Sequence, residues 1–308
     1  MDQPPEAAVP LSIVLGGLVF LLCGLTVVTV AARRISQGQP VLPYVRRRPV
    51  PWQAFHVGAI AAAYVVLLAL AQRLTIALFA LPVPVLHDAA PEQPVLPDPL
   101  IFLLEKSHTL PTLLLCFLAA VIVAPIVEEF LFRLVLQGWL EAVEARRRRQ
   151  IPFLREVTPG AVPVLLVALL FAGIHYRPPA PQIEPRTIAC LLMGNIVASL
   201  AVLAFGIGLL RWDAAARADD LGVVPGKLLG DLRLGVLLFA AVAGLIYLLK
   251  IAFSVQYGDN AATPLALFPF ALVLGVVYCR THRLVPCIVL HMSLNFTSLA
   301  MAWFRVGM

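Results

Sequence analysis

The chain has 308 residues, 61% of them apolar, and mean hydropathy is +0.92; an average soluble domain is about 45–50% apolar. That excess excludes an ordinary soluble protein and points to an integral membrane protein. The net charge of +6 does not indicate nucleic acid, because the arginines cluster at the ends of apolar segments, where they set membrane topology.

The first apolar run, from Leu11 to about Ala32, follows a start (Met1-Asp-Gln-Pro-Pro-Glu) without the basic region of a secretory signal, so it is read as a retained anchor. A helix needs about 20 residues to cross about 30 Å of hydrocarbon. Eight windows approach that length, near 11–32, 54–71, 110–130, 160–176, 187–210, 232–250, 263–279 and 284–304. The expected fold class is all-α, a polytopic membrane bundle of about eight transmembrane helices.

Loop charge alternates along these spans. Arg33, Arg34, Arg46, Arg47 and Arg48 follow the first, Arg146 to Arg149 the third, Arg211 and Arg217 the fifth, and Arg280 and Arg283 the seventh, whereas Asp88, Glu92 and Asp98 follow the second. The basic loops fall on one side, which is cytoplasmic by the positive-inside rule, and both termini then lie outside. Leu74–Leu86 contains Pro82 and Pro84 and reads as a re-entrant or interfacial piece; the prolines between His87 and Pro99 break any helix there. Ala145–Arg155 extends the third helix into the cytosol, and Asp213–Asp231 is a polar connector with a turn at Pro225-Gly226. The five cysteines, Cys23, Cys116, Cys190, Cys279 and Cys287, are scattered through apolar runs without a Cys-x-x-Cys pair and read as small core residues.

Three polar clusters interrupt the apolar spans. The third span ends in Glu128-Glu129-Phe-Leu-Phe-Arg133. Adjacent helix positions diverge by about 100°, so the two acids face different ways. Arg133, four residues after Glu129, pairs with it on one face. Glu128 has no local cation, as a general base in a closed pocket would require. A structural salt-bridge network is the alternative. The fourth span closes with Phe171-Ala-Gly-Ile-His175, where the Phe171 ring, one turn earlier, lies on the imidazole's face; a helix-end cap is the plainer role. In the eighth span His291 and Asn295 share a face, either as hydrogen-bonding groups aimed at one spot or as interhelical glue. His56, near the start of the second span, and Asn195 in the fifth read as packing or snorkelling groups, and His87, His108 and His282 fall in or beside loops.

The ordered set Glu-Glu-x-x-x-Arg (128–133), Phe-x-x-x-His (171–175) and His-x-x-x-Asn (291–295) resembles the CAAX prenyl endopeptidase (CPBP) family, which includes the Ras-converting enzyme. The resemblance implies a protease core over about 110–304 behind N-terminal anchor helices and loops in 1–109. The long separation of His175 from His291 marks residues around 187–255 as an insertion, and counting helical rise from the cytoplasmic ends puts His291 shallower than His175.

The resemblance further implies an intramembrane endopeptidase acting on a membrane-associated protein or peptide. Glu128 and His175 would activate water, His291 and Asn295 would hold the oxyanion, and Glu129, Arg133 and Phe171 would support them. Its members are commonly labelled metalloproteases, and Glu128, His175 and His291 would suffice for zinc. Asparagine, however, is an unusual zinc ligand and no His-Glu-x-x-His pair is present. No cofactor is therefore assigned, with zinc kept as the alternative. The expected surroundings are a bacterial inner membrane, its lipid and a peptide substrate, without nucleic acid. Two rival readings stay open, a non-catalytic immunity or regulatory protein that keeps the fold and a proton-coupled transporter.

Overall fold

The computed structural model describes residues 11–42, 44–45, 48–80, 99–176, 184–257 and 259–306. All the regular structure among these residues is helical, with no strand among them. The helices are α1 (Leu11–Ser36), α2 (Ala54–Leu78), α3 (Pro99–Lys106), α4 (Leu110–Arg147), α5 (Pro152–Glu156), α6 (Ala161–Ile174), α7 (Pro185–Trp212), α8 (Leu228–Tyr257), α9 (Asp259–Thr281) and α10 (Leu284–Val306). Seven helices among the described residues are long and apolar enough to cross a membrane, and the chain is an all-α polytopic bundle.

All eight expected spans are helices, most of them longer than their windows: α8 has 30 residues, and α2 runs on to Leu78, so that the first residues of the piece expected to be re-entrant, Leu74 to Leu78, continue a spanning helix. α6 has 14 residues, about 21 Å at about 1.5 Å per residue, short of the hydrocarbon thickness. α4 is much longer than its apolar window because its polar stripe is buried in protein. The expected cytosolic extension of α4 stops at Arg147, and Pro152 starts the separate one-turn α5. Residues 81–98, which include Pro82, Pro84, His87 and the acidic loop, lie outside the described residues, as do Arg46 and Arg47.

α4 is the centre of the bundle and is not a uniform α-helix. It widens into π-helical turns at Phe117–Val123 and at Phe130–Gln137, on either side of the Glu128-Glu129 pair. Pro125 accounts for the first widening, since it has no N–H and its ring crowds the preceding turn. Ala124 N–H donates five positions back, to Ala119 O. In that register the carbonyl of Ala120 looks to residue 125, which has no donor. Asn295 on α10 fills the gap, its Nδ2 donating to Ala120 O at 2.8 Å.

Around α4, α2 packs on α7, α1 on α8, α8 on α9 and α10, and α6 on α9. Contacts are close where glycine faces a neighbour. A Cβ on Gly206 of α7 would stand 2.7 Å from the Phe130 ring, and one on Gly235 of α8 would stand 2.6 Å from Val289. The main core gathers Trp52, Phe130, Leu134, Phe270, Leu274, Tyr278 and Leu290. Trp52 is fully buried, and its indole N–H donates to Val135 O in the second widened stretch.

The arginine-rich end is held by ion pairs. Arg48 binds Asp220, Arg283 binds Asp231, and His56 Nε2 lies 3.0 Å from Asp213 Oδ2. Hydrogen bonding to Asp220 raises the Arg48 pKa further above its already basic value. Buried Glu144 accepts from Arg148 and from the backbone N–H of Gly160. Gly160 has φ +82°, a left-handed conformation that glycine adopts without a steric cost, and it turns the chain directly into α6. The start of α6 is thereby fixed level with Glu144.

Candidate active site

Two adjacent residues of α4 organise the site. Glu129 has no exposed surface, and neither does Arg133. Their ion pair spans 3.3 Å from Arg133 Nε to Glu129 Oε2, the i,i+4 pairing expected from the sequence. The other carboxylate oxygen, Oε1, is 2.9 Å from Nδ1 of His291 on α10. Glu129 is thus shared between a cation and an imidazole, a contact the helix spacing alone did not suggest. Two charges in hydrocarbon cost about 2.5–3.5 kcal/mol each on insertion scales, and mutual pairing with burial in protein offsets that cost.

Glu128 faces a different set of neighbours. Its Oε2 is 3.8 Å from Nε2 of His175 and 3.8 Å from Nε2 of His291. Neither separation is a direct hydrogen bond, but both suit one bridging water. Glu128 and His175 keep about a quarter of their side-chain surface exposed (26% and 22%), whereas His291 is 4% exposed. The side chains that meet are therefore open on the Glu128–His175 flank and closed behind.

The imidazole tautomers follow from the other ring nitrogens. His175 Nδ1 lies 2.6 Å from Phe171 O, and a carbonyl only accepts, so that nitrogen carries the proton. His291 Nδ1 donates in the same way to the Glu129 carboxylate. When either ring is neutral its Nε2 is then the unprotonated nitrogen, and in both rings Nε2 is aimed at Glu128. Such outer partners fix a ring's rotation as well as its tautomer.

Phe171 ties these groups together. It is fully buried, its centroid is 4.6 Å from the His175 ring and 5.8 Å from the His291 ring, and the Arg133 guanidinium lies 5.5 Å over it. The stacking on His175 is the geometry expected from Phe-x-x-x-His. Edge contacts from Phe132 to Phe171 (5.3 Å) and from Phe270 to His291 (5.4 Å) complete the apolar walls. Phe270 gave no signal in the sequence, because an aromatic in an apolar span is indistinguishable from ordinary core.

Asn295 is one turn beyond His291 but turns to α4, where it caps Ala120 O. One of its two amide N–H groups is thereby committed, and the other is not needed for that bond. His56 caps its own helix, accepting from Gln53 N–H, and pairs with Asp213. His108 stacks on Trp303. Neither belongs to the Glu128 group.

The depths of His175 and His291 agree once the helix origins are known. α6 starts level with Glu144 through Gly160, whereas His282, just before α10, meets Glu141 at 3.6 Å, nearly one turn closer to the site. α6 therefore has further to run, and its 14 residues bring His175 to the Glu128 level.

Glu128, His175 and His291 supply the number of donors a catalytic zinc takes. Among the described residues, however, no group of three or more His, Cys, Asp or Glu side chains is gathered so that it could hold a metal ion. No step below runs through a metal.

One carboxylate oxygen thus stands 3.8 Å from each of two imidazole nitrogens, an arrangement that a water beside them can bridge. A family model described as type II CAAX prenyl endopeptidase Rce1-like matches residues 110–213 and 222–297. All three polar clusters lie inside the matched residues. No curated protein and no solved structure matches the chain.

Proposed function

Since the chain belongs to the Rce1-like type II CAAX prenyl endopeptidase family, we propose that it is an intramembrane endopeptidase that hydrolyses a peptide bond of a membrane-associated protein or peptide with a water activated by Glu128 and His175. The observation that carries this reading is the placement of Glu128 Oε2 at 3.8 Å from both His175 Nε2 and His291 Nε2. Side chains remote in sequence converge on one carboxylate oxygen.

In the proposed reaction the water bridges Glu128 and His175. Glu128 takes one of its protons while the oxygen attacks the scissile carbonyl carbon, and His175, oriented by Phe171 O, aligns the water through its Nε2 lone pair. The tetrahedral oxyanion meets His291. To donate from Nε2 that ring carries both protons, with Glu129 as its counter-ion at 2.9 Å. Asn295 contributes its uncommitted amide N–H. Collapse expels the amine, which receives the proton held on Glu128. Each aligned oxyanion donor is worth about 2.7–4 kcal/mol in comparable hydrolases.

Purified protein in lipid, supplied with a fluorogenic membrane peptide, tests the reading. Glu128→Gln and His175→Ala are expected to lower turnover by about 10²–10⁴ while leaving the melting temperature unchanged, because neither side chain is part of the buried ion pair. Turnover unaffected by both substitutions would end the hydrolytic account. Chelation followed by zinc addition tests the metal alternative, with unchanged turnover expected and zinc-dependent recovery counting against the water-only mechanism. Uptake by proteoliposomes under a pH gradient would favour a transporter.

A further inference from the structure

The Glu129–Arg133 pair continues along α4. Gln137, four residues after Arg133, has no exposed surface in the middle of the bundle. Its Oε1 accepts from Arg133 Nη1 at 3.4 Å, and its Nε2 donates to Glu141 Oε1 and to Gly275 O, both at 2.9 Å. Glu141 Oε2 in turn lies 3.6 Å from His282 Nδ1. The series His291, Glu129, Arg133, Gln137, Glu141, His282 leads from the Glu128 group to a cavity of about 150 Å³ at the arginine-rich end, whose wall includes Glu141 and His282.

The polarity of this series allows one amide orientation. A guanidinium only donates, and a carboxylate and a carbonyl only accept, so position 137 must present an acceptor to Arg133 and a donor to both Glu141 and Gly275. Glutamine does this at the length required. A glutamate there would oppose two acceptors, and a methionine would leave the guanidinium without its second side-chain partner. Arg133 already has a buried Nη2 without a hydrogen bond, and its Nε to Glu129 contact lacks hydrogen-bond geometry. Gln137 therefore adds a side-chain hydrogen bond to a guanidinium otherwise placed by the Glu129 ion pair and the Phe171 ring.

We propose that Gln137 is a positioning residue for the reaction, holding Arg133 so that Glu129 keeps His291 turned with Nε2 toward Glu128. The proposal rests on the endopeptidase reading for its kinetic consequences, but the orientation of the His291 ring can be measured without any turnover. Gln137 touches no reacting atom and acts through three intervening side chains.

Three variants in the full-length protein test it: Gln137→Met, Gln137→Glu, and Gln137→Glu combined with Glu141→Gln. The single variants are expected to lose about 10–100-fold in kcat with KM within about twofold, since displacing a catalytic group by about 1 Å costs on the order of 100-fold. The double variant restores a donor facing an acceptor between 137 and 141 with the order reversed, but it still sets a carboxylate against Gly275 O, and is expected to regain only part of the lost kcat, several-fold above Gln137→Glu. Ring ¹⁵N spectra, with the His291 signals identified by their loss in His291→Gln, should show Nδ1–H in the wild type and the double variant, and a tautomer mixture in Gln137→Met. Wild-type kcat in Gln137→Met, a folded double variant no better than Gln137→Glu, or an unchanged His291 spectrum would each overturn the proposal. If the wild type cleaves no membrane peptide, the endopeptidase reading fails while the ¹⁵N comparison still decides the positioning role.

Discussion

Glu128 and Glu129 are neighbours in the chain whose surroundings separate them. Glu129 touches a guanidinium with one oxygen and an imidazole with the other, without exposed surface, whereas Glu128 keeps about a quarter of its side chain exposed and stands 3.8 Å from two ring nitrogens. The difference predicts opposite mutational signatures. Arg133→Ala leaves the Glu129 charge buried without its cation and is expected to destabilise the protein by about 3–5 kcal/mol, seen as a lowered melting temperature in detergent. Glu128→Gln should leave that temperature in place and remove turnover alone. The pairing of Glu129 with Arg133 follows from helical spacing, since residues four apart share a face. Its bond to His291 does not, because that contact depends on the lateral placement of α10.

At the scale of the element, α4 shows how a proline in a buried helix is accommodated. Pro125 withdraws a donor, the preceding turns widen, and Asn295 reaches across from α10 to the carbonyl left over. π-helical turns recur at functional sites, and here they flank the two acids. The arrangement predicts an energetic coupling between positions 125 and 295. Asn295→Ala should cost about 0.6–1.7 kcal/mol in the native background, the range of interhelical hydrogen bonds in membranes. It should cost less in Pro125→Ala, where an N–H returns to α4. A double-mutant cycle in melting temperature measures the coupling, and the remaining effect of Asn295→Ala on kcat measures any role in catalysis. The α7–α4 contact supplies a second check. Gly206→Leu drives a side chain against Phe130, beside Glu129, and overpacking of this kind costs about 1–3 kcal/mol, read as a lower melting temperature.

The whole molecule has ion pairs concentrated at the arginine-rich end and apolar side chains over its flanks, such as Leu165, Leu166, Leu169 and Leu170 on α6. These outward leucines are the surface of an integral membrane protein facing lipid. From the positive-inside rule we propose that the arginine-rich end faces the cytoplasm. Arg149→Cys, in a background without the exposed Cys23, is then expected to react with a membrane-impermeant maleimide in inverted vesicles and to be protected in right-side-out vesicles. The reverse pattern would turn the molecule over. The family match from 110 to 297, broken only at 214–221, runs from α4 through α10. α1, α2 and α3 lie before it, yet α2 packs against α7 within the matched part.

Much was legible from the chain alone, because hydrocarbon imposes strong rules on it. Span length, the pairing of Glu129 with Arg133, the stacking of Phe171 on His175 and the separate direction of Glu128 all follow from local periodicity and the cost of burying charge. Gln137, Phe270 and the Pro125–Asn295 partnership were not legible, since each depends on which helix lies beside α4 and at what height. Gly160 at the level of Glu144, and His282 at the level of Glu141, set those heights. The sequence by itself determined the helices and the polar groups they carry. Only the tertiary structure decided that His175 and His291, widely separated along the chain, reach Glu128 together, because lateral packing and axial offset between helices are not encoded in the period of any one of them.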